Sequence, residues 1–128
     1  MSTKMIAYVA FGGAAGSVAR YLVMSTVGHI THTGFPYATL SVNVIGAFVL
    51  GSVIELMALV WSPAPEVRNL VVIGVLGGFT TFSTFSMDAY YLFERGEYSA
   101  AGLYVAGSVV LTILGLAAGM MLFRQVLS

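Results

Sequence analysis

Four stretches of this chain, at roughly 5–28, 37–60, 66–94 and 99–124, stay apolar over the length of a bilayer crossing. A helix needs about 20 mainly apolar residues to cross the hydrocarbon core, and only a helix or a closed barrel satisfies its backbone there. Of the 128 residues, 59% are hydrophobic and 8% charged, against about a quarter charged in an ordinary soluble domain. Such a chain has too few charges to clothe a water-facing surface. The expected fold is an all-α integral membrane protein, one transmembrane domain over 1–128 with four spans.

Short connections support that reading. GHITHTGFP joins the first two spans and carries both histidines, WSPAPEVR joins the second and third, and ERGEYS joins the last two. Each helix must therefore run antiparallel to the one before it, with no room for a soluble domain. One lysine ahead of an apolar run also describes the start of a signal peptide, yet the first run is long enough to span and holds Arg20 and a row of small residues.

Composition removes several function classes. The net charge is zero and the five Lys and Arg are scattered, which disfavours nucleic-acid binding. Cysteine is absent, so disulfides, zinc thiolates and thiol nucleophiles drop out. There is no HExxH and no paired in-span carboxylate, and His29 with His32 are too few for a convincing metal site. The sequence does not read as an enzyme.

With both termini on one side, Lys4, Arg68 and Arg124 face Arg20 and Arg95. That is nearly no positive-inside bias. Either three charges weakly fix one topology, or copies insert both ways and pair as an antiparallel homodimer, whose eight helices would enclose what four thin helices leave open. Gly12/Gly16 and Gly115/Gly119 have the GxxxG spacing of close helix contacts.

The polar residues inside the spans each admit two readings. Arg20 either snorkels to headgroups from near a helix end or places positive charge near an aqueous vestibule. Thr39 and Asn43 share a face, and Asn43 is either a helix–helix hydrogen bond or a pore-lining amide able to donate to an anion. Tyr104, Ser108 and Thr112 form a stripe of hydroxyls that either bond their own helix or face a pathway. The run GGFTTFSTFS at 77–86 puts two glycines and five hydroxyl residues in ten positions, a poor uninterrupted helix. It is expected to break near the midplane, where freed backbone groups can hold an ion; a continuous helix with a Ser/Thr packing face is the other reading. Phe79, Phe82 and Phe85 recur every three residues, either as packing or as a constriction with ring edges toward an anion.

GGAAGSVARY at 12–21, TLSVNVIG at 39–46 and GGFTTFSTFS at 77–86 resemble the successive signatures of the Fluc/CrcB family of small fluoride channels, over nearly the full chain. The resemblance implies an antiparallel, dual-topology homodimer in the bacterial cytoplasmic (inner) membrane, with two passive pathways that export fluoride. It implies that Asn43 lies at the inner end of a pathway, with Phe82 and Phe85 at the narrow region. Ser83 and Thr84 with Tyr104, Ser108 and Thr112 would form the polar track, and Arg20 would lie near the vestibule; Thr39, on the face of Asn43, is a further candidate for the fluoride pathway. It also implies a structural sodium ion on the dimer axis, held by backbone carbonyls of Gly77 and Thr80, and no organic cofactor. The chain departs from the family at Ala38, where Gly is frequent, and at Asp88, where Glu is frequent. A four-helix multidrug exporter needs an embedded acid, commonly in the first span, and this span has none; a purely structural protein would leave the polar stripes without a task.

Overall fold

The computed structural model describes residues 2–128. Four helical spans are long and apolar enough to cross a membrane. Helix α1 covers Thr3–Ile30 and begins where the Ser2 side chain accepts from Met5 N, a standard N-cap bond. Helix α2 covers Tyr37–Leu59. The third span, Pro65–Glu94, comes in two pieces: α3 over 65–79 and α4 over Phe82–Glu94. Helix α5 covers Tyr98–Leu127 after a turn in which Gly96 takes φ 79°, a left-handed conformation suited to glycine.

Pro65 opens α3 at its first turn, where its missing N–H costs nothing. Its middle, Leu70–Leu76, is wound as a π-helix. This wider winding packs against α1, and the glycines of both helices make the contact possible. A Cβ built on Gly74 would lie 2.9 Å from Gly12 Cα, well inside any real contact. On the opposite side α2 and α5 make the most extensive helix pair, where a Cβ on Gly119 would lie 2.9 Å from Ser52 N.

The third span breaks at Thr80 and Thr81, which are extended at φ/ψ of −86°/158° and −150°/116°. The last helical bond of α3 runs from Thr80 N to Leu76 O at 3.1 Å. Thr81 then caps α4, its hydroxyl accepting from Thr84 N at 3.1 Å. The break also divides the phenylalanine repeat. Phe79 stays on α3 beside Gly46 of α2, while Phe82 and Phe85 open α4 with their rings 5.4 Å apart. The three rings therefore do not form one stripe.

Two further positions differ from the sequence reading. His29 lies in the last turn of α1 and only His32 in the connection. Because α1 continues to Ile30, Arg20 sits ten residues, about 15 Å, short of its end. Arg20 makes a hydrogen bond inside the protein instead of reaching for headgroups.

Replacing Gly74 by Val should force α1 and α3 apart and destabilise the protein by about 1–3 kcal/mol. Thermal melting in detergent measures this, and an unshifted melting temperature would contradict so close an approach.

Candidate functional site

A helix broken inside a membrane exposes backbone groups that lipid cannot satisfy. The carbonyls of 77–81 lose their helical partners at this break, and two neighbouring helices meet part of the loss with side chains. Asn43 of α2 accepts from Thr81 N through Oδ1 at 2.8 Å and donates from Nδ2 to Thr81 O at 3.0 Å. A backbone donor and acceptor together permit only one orientation of that amide. From α1, Arg20 Nε donates to Gly78 O at 2.9 Å. Among the described residues no backbone N–H donates to the carbonyls of Gly77, Phe79 or Thr80. Gly77 and Thr80, three apart, lie on the outer side of the chain, the first exposed and the second half-buried.

Beside the break runs a largely apolar groove of about 360 Å³ between α2, the third span and α5. Asn43, Phe82, Phe85, Ser108 and Thr112 line it, together with Gly77, Thr80 and Thr81. The hydroxyl stripe of α5 divides into three different states. Thr112 Oγ1 donates to Ser108 O at 2.7 Å, so its proton is held by its own helix. Tyr104 is buried and its hydroxyl donates to Asp88 Oδ2 at 3.2 Å. Ser108 Oγ is buried with no partner among the described residues. A buried hydroxyl rarely lacks a partner, so Ser108 is the member of the stripe with an uncommitted donor. Asn43 has a second: its other N–H has no partner among the described residues.

Beyond Phe85, whose ring lies 5.2 Å from that of Tyr104, the polar line continues away from the groove. Thr39, 2% exposed, donates to the same Asp88 Oδ2 at 2.6 Å. One carboxylate oxygen thus ties α2, α4 and α5 together. Leu92, Ala101 and Tyr104 pack as a small core beneath it, against Phe35 and Leu40.

The structure therefore brings Asn43, Phe82, Phe85, Ser108 and Thr112 to one groove and Thr39 with Tyr104 to an adjacent cluster. Ser83 and Thr84 stand at the start of α4: Ser83 Oγ is 3.3 Å from Thr81 Oγ1, and Thr84 is tied to Thr81 by its backbone. Arg20 does not line the groove; it reaches the break from behind. Thr81 and Asp88 were not among the sequence candidates. The Thr81-x-x-Thr84 spacing is an N-cap signal, and an acid within a span is by default a functional residue. Asp88 lies mid-way along α4. Among the described residues no three His, Cys, Asp or Glu side chains converge, so a cation here would rely on carbonyl oxygens. The unbonded carbonyls of Gly77 and Thr80 are of the right chemistry for it.

Replacing Asn43 by Asp removes the donor to Thr81 O and sets a carboxylate against that carbonyl. A loss of about 1–3 kcal/mol is expected for the orphaned group, read as a lower melting temperature in detergent. An unchanged melt would mean the break does not depend on this amide.

Comparison with known proteins places the sequence in a family. Residues 7–120 match the family described as CrcB-like protein, Camphor Resistance (CrcB). A protein of Rhodospirillum centenum named fluoride-specific ion channel FluC is 53% identical over 121 residues, covering 94% of this chain and 96% of that one. One of the same name from Rhizobium johnstonii is 50% identical over 116 residues, covering 91% and 93%. Another from Nitrobacter winogradskyi is 46% identical over 126 residues, covering 98% and 100%. Arg20, Asn43, the broken third span, Asp88 and Ser108 all fall within the matched segment, and with the polar seam wholly inside the shared sequence, the chain belongs to the CrcB, or FluC, family.

Proposed function

We propose that this chain forms a passive, fluoride-selective channel, two copies pairing antiparallel to make two pathways that let fluoride leave the cytoplasm. Family membership makes the chain a multi-pass protein of the bacterial cytoplasmic membrane and a channel, not an enzyme. The observation that carries the reading is the groove beside the break, in which uncharged donors are set among apolar walls.

Fluoride is small and firmly hydrated, so a narrow path must replace its water with directed donors. The second N–H of Asn43 and the hydroxyl of Ser108 are such donors, and neither has a partner among the described residues. Phe82 and Phe85 stand beside them and can turn partly positive ring edges to the ion. A few neutral donors bind weakly enough for the ion to leave, whereas a line of fixed cations would trap it. The track continues through Ser83 and Thr84 and toward Tyr104 and Thr39, whose protons are set by Asp88; Thr112 helps through its bond to the Ser108 carbonyl. At the vestibule, the η nitrogens of Arg20, unpaired among the described residues, draw anions toward the mouth. Transport is downhill, driven outward by a negative-inside voltage.

Three features favour a second copy. The groove lies open along one side of a single chain, Phe82 is 77% exposed beside it, and at the break Gly77 is exposed and Thr80 half-buried. An antiparallel partner would close the groove, and the Gly77 and Thr80 carbonyls of both copies would then be available to hold a sodium ion. The sodium would serve there as a structural cross-link, and Gly77 and Thr80 are the residues that would hold it.

Liposomes containing the purified protein should release fluoride rapidly under voltage, read by a fluoride electrode, and release negligible chloride. Absence of fluoride release from folded protein would defeat the proposal. Phe82→Ile or Phe85→Ile should slow efflux by about tenfold or more while leaving assembly intact; unchanged flux would reduce the rings to packing. Ser108→Ala removes a hydroxyl that has no partner among the described residues, so melting should hold or rise slightly while fluoride flux falls. A lower melting temperature with normal flux would assign Ser108 to structure alone.

A further inference from the structure

Arg20 carries a charge into the interior of α1 with no carboxylate to meet it. The ion pairs of the protein among its described residues are Arg95–Glu97 and Arg124–Glu55. A guanidinium at such depth is costly and is retained only where something compensates it. What it meets is the Gly78 carbonyl, 2.9 Å from Nε, one of the last carbonyls of α3. The end of a helix concentrates about half an elementary negative charge on such carbonyls. The Nε–H of Arg20 therefore gives a partner to a carbonyl that the break in the helix leaves without one.

The backbone is close enough for this because Gly78 lies directly on α1. A Cβ there would stand 2.8 Å from Gly13 O and 3.2 Å from Ser17 N. Gly78 thus meets α1, whereas Gly77 and Thr80 border the groove. Asn43 holds the far side of the break at Thr81. The segment between is thus fixed at two points, by α1 before it and α2 after it.

We propose that Arg20 is a positioning residue: its Nε–H bond to Gly78 anchors the end of α3, and this anchor sets the Gly77 and Thr80 carbonyls at the spacing a monovalent cation requires. The proposal rests on the cation site argued above and is separate from any attraction of anions by the Arg20 charge. Without the anchor, Gly78 O joins the unbonded carbonyls, the last turn of α3 loosens, and the cation must first order its own ligands. The role belongs to the Nε donor, not to the charge, and this divides the two possibilities experimentally.

The test uses the purified full chain with Arg20→Gln, which removes the charge and moves the donor, and Arg20→Lys, which keeps the charge and loses the planar Nε–H. Thermal melting is followed as sodium chloride replaces N-methylglucamine chloride at constant ionic strength, with fluoride efflux measured beside it. Wild type should be stabilised by sodium, and both variants should need about tenfold or more sodium for half of that stabilisation. If Arg20→Gln does not fold, Arg20→Lys carries the same titration. A sodium midpoint that stays at the wild-type value in the variants would overturn the positioning role while leaving the cation site standing. A wild-type melt indifferent to sodium would overturn the cation reading and this proposal with it, and efflux would then show whether the channel reading survives both.

Discussion

Every unusual feature of the protein follows from one constraint: a polypeptide in hydrocarbon must satisfy its own backbone. Three spans obey it with continuous helical bonding. The third departs from it at Thr80 and Thr81, and the departure is possible because Arg20 and Asn43 approach from opposite sides. Neither side chain could be where it is without the glycine contacts that bring α1 onto α3 and the thin seam that brings α2 alongside. The break is a joint property of three helices, and none of them would hold it alone.

The arrangement also explains why so polar a seam coexists with so apolar a composition. Most polar atoms near the break are bound to other parts of the protein: Thr112 to its own helix, Tyr104 and Thr39 to Asp88, Thr81 to Asn43. Those bonds remove the cost of burying the groups, and among the described residues they leave Ser108 Oγ and part of the Asn43 amide as uncommitted donors along the groove. A buried network that is nearly complete is rigid, and its few open donors are held in fixed positions. Asp88 is central here because a single oxygen receives two hydroxyl protons and so decides which way both point.

Much of this was legible in the sequence, for identifiable reasons. Spans follow from apolar length, and the break follows from glycines and hydroxyl residues crowded at 77–86. The helical spacing of Thr39 with Asn43 and of Tyr104, Ser108 and Thr112 was equally visible. What periodicity could not supply was the partner of each group. Nothing local says that Thr112 turns back on its helix while Ser108 does not, or that Arg20 reaches a carbonyl 58 residues away. The phenylalanine repeat misled because a period of three presumes a continuous helix, and the break interrupts it between Phe79 and Phe82. Asp88 was passed over for the opposite reason: a lone acid has no spacing to betray it.

The π-wound segment Leu70–Leu76 bears on how such a chain can change over time. A π turn contains one residue more than an α turn for a similar advance along the axis. Deleting a single residue there would let the segment relax to ordinary α winding while the helix beyond it keeps nearly the same rotation and height. The same deletion in the regular winding on either side would turn everything beyond it by about 100° and take Gly78 off α1. The π segment is therefore a place within the span where the chain can lose a residue without turning the break.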